Sequence, residues 1–184
     1  MISSSASDGF DHLLVQGIKN HLVNQDSDIC EIVVQNDLTN AHQPYLAVLT
    51  ISSYLFRLMV FIHFSTDDAT REHLAILSKT SVNDMNEQVF MDAICERANM
   101  FCGSLSHDLS RSFPHIGMST PNIVDRRCAS HLDLLNLAHI RHFKVDVNDT
   151  VFFHVTLCVS DFEKLDFVVD RSAEDVSGGE LELF

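Results

Sequence analysis

An acid and an amide three residues apart, Glu96 and Asn99, lie within "MDAICERANMFCG", which runs from Met91 to Gly103. At about 100° per residue, Asp92, Glu96, Asn99 and Gly103 fall on one narrow helical stripe, because steps of four, three and four nearly cancel their angular drift. A carboxamide offers both a donor and an acceptor, whereas a carboxylate offers acceptors and a charge. Such a pair suits a tool that reaches another molecule, and it also suits an ordinary solvated helix face. The spacing alone leaves both readings open.

Gly103 adds a second signal, since glycine inside a helix costs about 1 kcal/mol relative to alanine. A bare spot beside Asn99 would let a partner's backbone come close, or would equally admit a neighbouring helix of this chain. On the opposite side, Met91, Ile94, Ala98, Phe101 and Leu105, flanked by Cys95 and Cys102, form an apolar face able to pack on a sheet. The polar stripe then looks outward.

The element that carries the stripe reads as a long helix from roughly Val82 to Ser112, announced by Ser81 with Asp84 and ended near Pro114. Earlier, Phe10, Leu13, Leu14, Ile18 and Leu22 recur at helix spacing behind Asp8 as cap. "ICEIVVQ" reads as a strand and "LTNAHQP" as a loop. Ser65 with Asp68 announces a further helix over "STDDATREHLAILSK". "IGMSTPNIV" is expected as an edge strand holding Pro121, and "DRRCASH" as a loop. Alternation from Leu135 and again from Val151, around Asn148 and Asp149, predicts a hairpin with a tight turn.

The stretch from Leu46 to Phe64 approaches the length of a membrane span, yet Arg57, His63 and the Ser52-Ser53 break argue for two buried strands instead. Helices before and between strand pairs predict an α+β domain with a mostly antiparallel sheet and long helices on one face. Residues 1–169 are expected to form one domain, followed by an acidic, flexible tail over 170–184.

A chain of 184 residues, 46% hydrophobic with 6 Gly and 3 Pro, has a globular composition and suits one domain. Asp and Glu outnumber Lys and Arg by 26 to 12, a formal charge of -14 that repels nucleic acid and anionic lipid alike. The five cysteines form no CxxC pair and read as reduced thiols of a cytoplasmic protein. The first residues lack the order of a signal peptide.

"DAICERANMFCG" resembles the D/S-xxx-E-xx-N signature of the CheC/CheX/FliY chemotaxis phosphatases at Asp92, Glu96 and Asn99. The following "GSLSHDLSRSFPHIGMSTPNIV" is similar to the CheX continuation, and the likeness is clearest from about Val82 to Val124. It implies the CheC/CheX fold and a substrate that is the phosphorylated aspartate of a CheY-type receiver domain. Asn99 would orient a water for in-line attack on the acyl phosphate, and Glu96 would pair with the receiver's lysine. Asp92 and Gly103 would support the helix or the partner contact. This chain would bind no cofactor, the Mg²⁺ being the receiver's own, and would form a homodimer. Gly103-Ser104 stands where the family often has Gly-Asn, and no glycine occurs from Tyr45 to Phe64. "QGIKN" on the first helix lacks the acid of a second signature, so a single site, as in CheX, is expected. The alternative is a non-catalytic CheX-like module that binds a receiver or another signalling protein.

Competing constellations are weaker. Of eleven histidines, His139 and His142 in "HIRH" lie three apart on a strand and point to opposite faces, so they cannot share a metal ion. His107 beside Asp108 is accounted for by the helix C-terminus. Neither Cys102 nor Ser104 has a base nearby in sequence, and no P-loop, GxSxG or dinucleotide fingerprint occurs.

Overall fold

The computed structural model describes residues 1–170. Its centre is a seven-stranded antiparallel sheet built from β1 (Cys30–Gln35), β2 (Tyr45–Ser52), β3 (Phe56–Phe64), β4 (Gly117–Met118), β5 (Asn122–Asp125), β6 (His139–Val147) and β7 (Val151–Asp161). The spatial order is β1-β6-β7-β3-β2-β4, with β5 also paired to β2. The expected pair within Leu46–Phe64 is β2 and β3, and Leu49 lies opposite Val60. Period-two alternation gives each strand two faces. Phe56, Leu58, Val60, Ile62 and Phe64 of β3, with Val151, Phe153, Val155, Leu157 and Val159 of β7, face one core. Phe61 and Cys158 face the other way.

Three α-helices lie on the first face, α1 (Ser4–His21), α2 (Asp68–Leu77) and α3 (Glu87–Ser110). Phe10, Leu14 and Ile18 of α1 are buried at the expected spacing. Gly17 lets α1 and α3 approach: a Cβ there would stand 2.8 Å from the Phe101 ring. The far face is covered too. Leu132, from a ten-residue 3-10 segment Arg126–Leu135 kinked at His131, packs with Leu46, Phe61 and Cys158.

Helix starts differ from expectation. Ser3, not Asp8, caps α1, its hydroxyl accepting from the Ala6 amide at 3.1 Å, because the intervening Ser-Ser-Ala-Ser continues the helix upstream. Asp67, not Ser65, caps α2 through the Thr70 amide at 2.8 Å. The signal at Ser81 and Asp84 is spent on a short 3-10 turn, Val82–Asp84. The long helix starts at Glu87, where Asn86 accepts from the Val89 amide at 3.1 Å. Proline splits the expected edge strand: β4 and β5 flank Pro121, which belongs to neither. "DRRCASH", apart from Asp125 at the end of β5, lies in the 3-10 segment and not in an open loop. The hairpin forms as expected, with Asn148 and Asp149 both at φ 56, the left-handed conformation that tight turns demand. The acidic tail expected over 170–184 lies, Asp170 apart, outside the described residues.

Candidate functional site

The platform for the stripe is α3. Phe90, Ala93, Ile94, Ala98, Phe101, Cys102, Leu105 and Leu109 are buried, a face wide enough to fix the helix in rotation. Met91 and Cys95, expected on or beside that face, are only half-buried. Arg71 anchors the first turn. Its guanidinium donates to the Met85 carbonyl at 2.6 Å and lies 4.9 Å from the centre of the Phe90 ring, a cation–π contact.

With that face inward, Asp92, Glu96 and Asn99 are all exposed. Asp92 is held by its own helix, since Gln88 Nε2 donates to Asp92 Oδ1 at 2.9 Å. Among the described residues, no hydrogen bond or ion pair engages the side chain of Glu96 or Asn99. Gly103 lies in the same row, and a Cβ built there meets nothing within 4 Å. Among the described residues, then, no packed neighbouring helix explains this glycine.

The stripe is a convex surface. Neither of the two best-formed cavities, one of about 300 Å³ between α1 and the end of α3 and one of about 390 Å³ beside Lys144 and His154, is lined by Asp92, Glu96 or Asn99. Neither cavity encloses a small molecule at this site. The groups instead project outward, an arrangement able to enter a cleft on another macromolecule.

The nearby thiols are poor nucleophiles. Burial pushes the Cys102 thiol up to about 11, and burial together with the Asp92 charge raises that of Cys95. All five cysteines are free thiols. His139 and His142 divide as strand geometry requires. His139 Nε2 donates to Asp11 Oδ1 at 2.6 Å on the helix side, where Arg141 Nε also donates to Asp11 Oδ2 at 2.9 Å. His142 Nδ1 shares a hydrogen bond with Thr156 Oγ1 at 2.9 Å on the far side. Among the described residues, no three His, Cys, Asp or Glu side chains come together as metal ligands, and no helix is long and apolar enough to cross a membrane.

One polar assembly escaped the sequence reading. His63 of β3 stands directly across from His154 of β7, both buried. His154 Nδ1 donates to the amide oxygen of buried Gln43 at 3.1 Å, and Gln43 Nε2 donates to the Phe152 carbonyl at 3.1 Å. Neither ring nitrogen of His63 has a partner among the described residues. Only the strand register could have revealed this pair.

No family model matches the sequence, and no curated protein matches it. Solved structures do. A CheC-like superfamily protein from Shewanella sp. PV-4 matches with a TM-score of 0.56 at 13% identity, over 86% of this chain and 99% of that one. CheX of Borrelia burgdorferi, solved in complex with CheY, BeF3 and Mg²⁺, matches with a TM-score of 0.59 at 9% identity, over 84% of this chain and 97% of that one. CheX of Vibrio vulnificus matches with a TM-score of 0.55 at 15% identity, over 83% and 97% of the two chains. The architecture is therefore an α+β antiparallel sheet with its long helices on one face. More particularly, it is the fold of the CheC-like and CheX chemotaxis proteins.

Proposed function

We propose that this chain dephosphorylates the phosphoaspartate of a CheY-type receiver domain. The observation that carries the reading is the pair Glu96 and Asn99, exposed on the outer face of a helix packed along its other side and engaged by no described residue. Support also comes from the fold, which it shares with a CheX solved together with CheY. In the proposed reaction α3 docks over the receiver's phosphorylation site. The Asn99 carboxamide accepts a hydrogen bond from a water and donates one, fixing it in line with the acyl phosphate. The water oxygen forms the new P–O bond as the bond from phosphorus to the aspartyl oxygen breaks. The products are inorganic phosphate, a proton and the free carboxylate.

Phosphoryl transfer asks for position and charge stabilisation more than for covalent help, so one amide on a convex helix suffices, the receiver supplying Mg²⁺. Glu96, one turn before Asn99, pairs with the receiver's lysine and sets the register. Asp92, tied to Gln88, keeps the first part of the face in place and adds negative potential. A homodimer is part of the same reading. Among the described strands β1 pairs only with β6, leaving a sheet edge where Val33 and Val34 are exposed, and light scattering is expected to give twice the monomer mass.

The direct test is the lifetime of a phosphorylated receiver with substoichiometric amounts of this protein. Multiple turnovers and a shortened lifetime are expected. A chain that binds the phosphorylated receiver without shortening its lifetime would be a recognition module.

A further inference from the structure

Among the described residues nothing requires glycine at position 103. It lies well inside α3, its φ is not in the left-handed region, and a side chain would meet no described atom within 4 Å. The other helical glycines differ. A Cβ at Gly17 would collide with the Phe101 ring at 2.8 Å, and one at Gly9 would press on Phe167 at 3.0 Å. Packing leaves no room for a side chain at Gly17 and crowds one at Gly9. At Gly103 the chain accepts a weaker helix with nothing gained among its described residues.

The position of this open spot is informative. Gly103 is one turn beyond Asn99 on the same face, and Met100, 43% exposed, lies three residues before it on the adjoining part of the helix surface. One turn before Asn99, Glu96 faces out from a chain of formal charge -14, so the partner's matching group is cationic. A face with a carboxylate at one end, an apolar side chain at its flank and bare backbone at the other end is polarised along the helix axis.

We propose that Gly103 is the floor of the docking contact: a main-chain segment of the receiver crosses α3 there, with its cation toward Glu96 and an apolar side chain against Met100. This rests on the receiver reading above and adds the direction of the footprint, which runs from Glu96 toward the C-terminal half of α3. Glycine is kept because any side chain would lift the partner's backbone from the helix and carry the phosphoryl group out of reach of Asn99.

The test uses the full chain and its Gly103→Ala and Gly103→Leu forms. Three quantities are read: melting temperature, oligomeric state, and affinity for a receiver locked with beryllofluoride and Mg²⁺. Alanine is expected to raise the melting temperature by about 2–4 °C. Leucine is expected to fold and yet weaken receiver binding about tenfold to a hundredfold, with the loss in turnover falling on KM rather than on kcat. Unchanged affinity in the leucine form overturns the proposal, as does a change of oligomeric state with receiver affinity intact, which would give the spot to a second copy. Binding by the parent without hydrolysis removes the phosphatase reading while the affinity ratio still decides the role of Gly103. A parent that binds no receiver overturns both.

Discussion

The outer stripe of α3 and the histidine layer on the far face of the sheet are two polar assemblies built on opposite terms. Glu96 and Asn99 stand in water, engage no described residue and cost little to keep. His63 is 2% exposed, carries two ring nitrogens without described partners and faces a second buried histidine. Leaving a polar group unbonded in the interior penalises folding, whereas leaving it unbonded at the surface only leaves it hydrated. A docking site can therefore be kept open on α3 at small cost, while the far face binds its stability to pH.

The contrast breaks most severely if the platform under the stripe is removed. Phe101 fills the space left by Gly17 and is fully buried, so Phe101→Ala is expected to cost about 3–5 kcal/mol in urea unfolding. Activity would then fall through loss of the folded helix. If that variant kept its stability, the rotation of α3 would rest on other contacts.

The histidine layer gives the next largest effect. Burial, with His154 and His142 adding to it, holds His63 down to about 4 against an ordinary 6.5. Burial also lowers His154 and His142. The unfolded chain thus binds more protons than the folded one between pH 6.5 and about 4. The stability held by the neutral ring is present above that window and drains away as pH falls through it, by about 2–3 kcal/mol for His63 alone. Urea midpoints measured across the window should decline in the parent and decline less in His63→Leu. Parallel declines would contradict the assignment.

Glu96 sharpens the surface side of the comparison with the smallest effect. Glu96→Gln removes the charge and keeps the shape. It is expected to weaken receiver binding about tenfold, more at low salt than at high, and to leave the melting temperature unchanged. An affinity insensitive to this change would remove Glu96 from the contact.

Much of the α3 surface was legible in the sequence because a stripe needs only helix periodicity, which Asp92, Glu96 and Asn99 satisfy. The emptiness above Gly103 was not legible, being a property of what packs nearby. The helix began later than expected because Asn86 outcompeted Ser81, whose side chain makes no capping bond. The far-face cover went unread since a kinked 3-10 segment carries no sustained period. The pairing of His63 with His154 depends on the register of β3 against β7, set by the hairpin and the sheet order together. The β2–β3 pair, by contrast, was plain from its β-branched and aromatic run broken at Ser52-Ser53.

The central claim is that Asn99 acts on a receiver's phosphate while the rest of the stripe holds the receiver. The most direct measurement is phosphate release from a phosphorylated CheY-type receiver in Mg²⁺, with the parent and with Asn99→Ala, alongside the affinity of each for the beryllofluoride form. The account predicts a loss of about 10²–10³ in turnover with affinity largely retained and no loss of melting temperature. Turnover that survives in Asn99→Ala would contradict it.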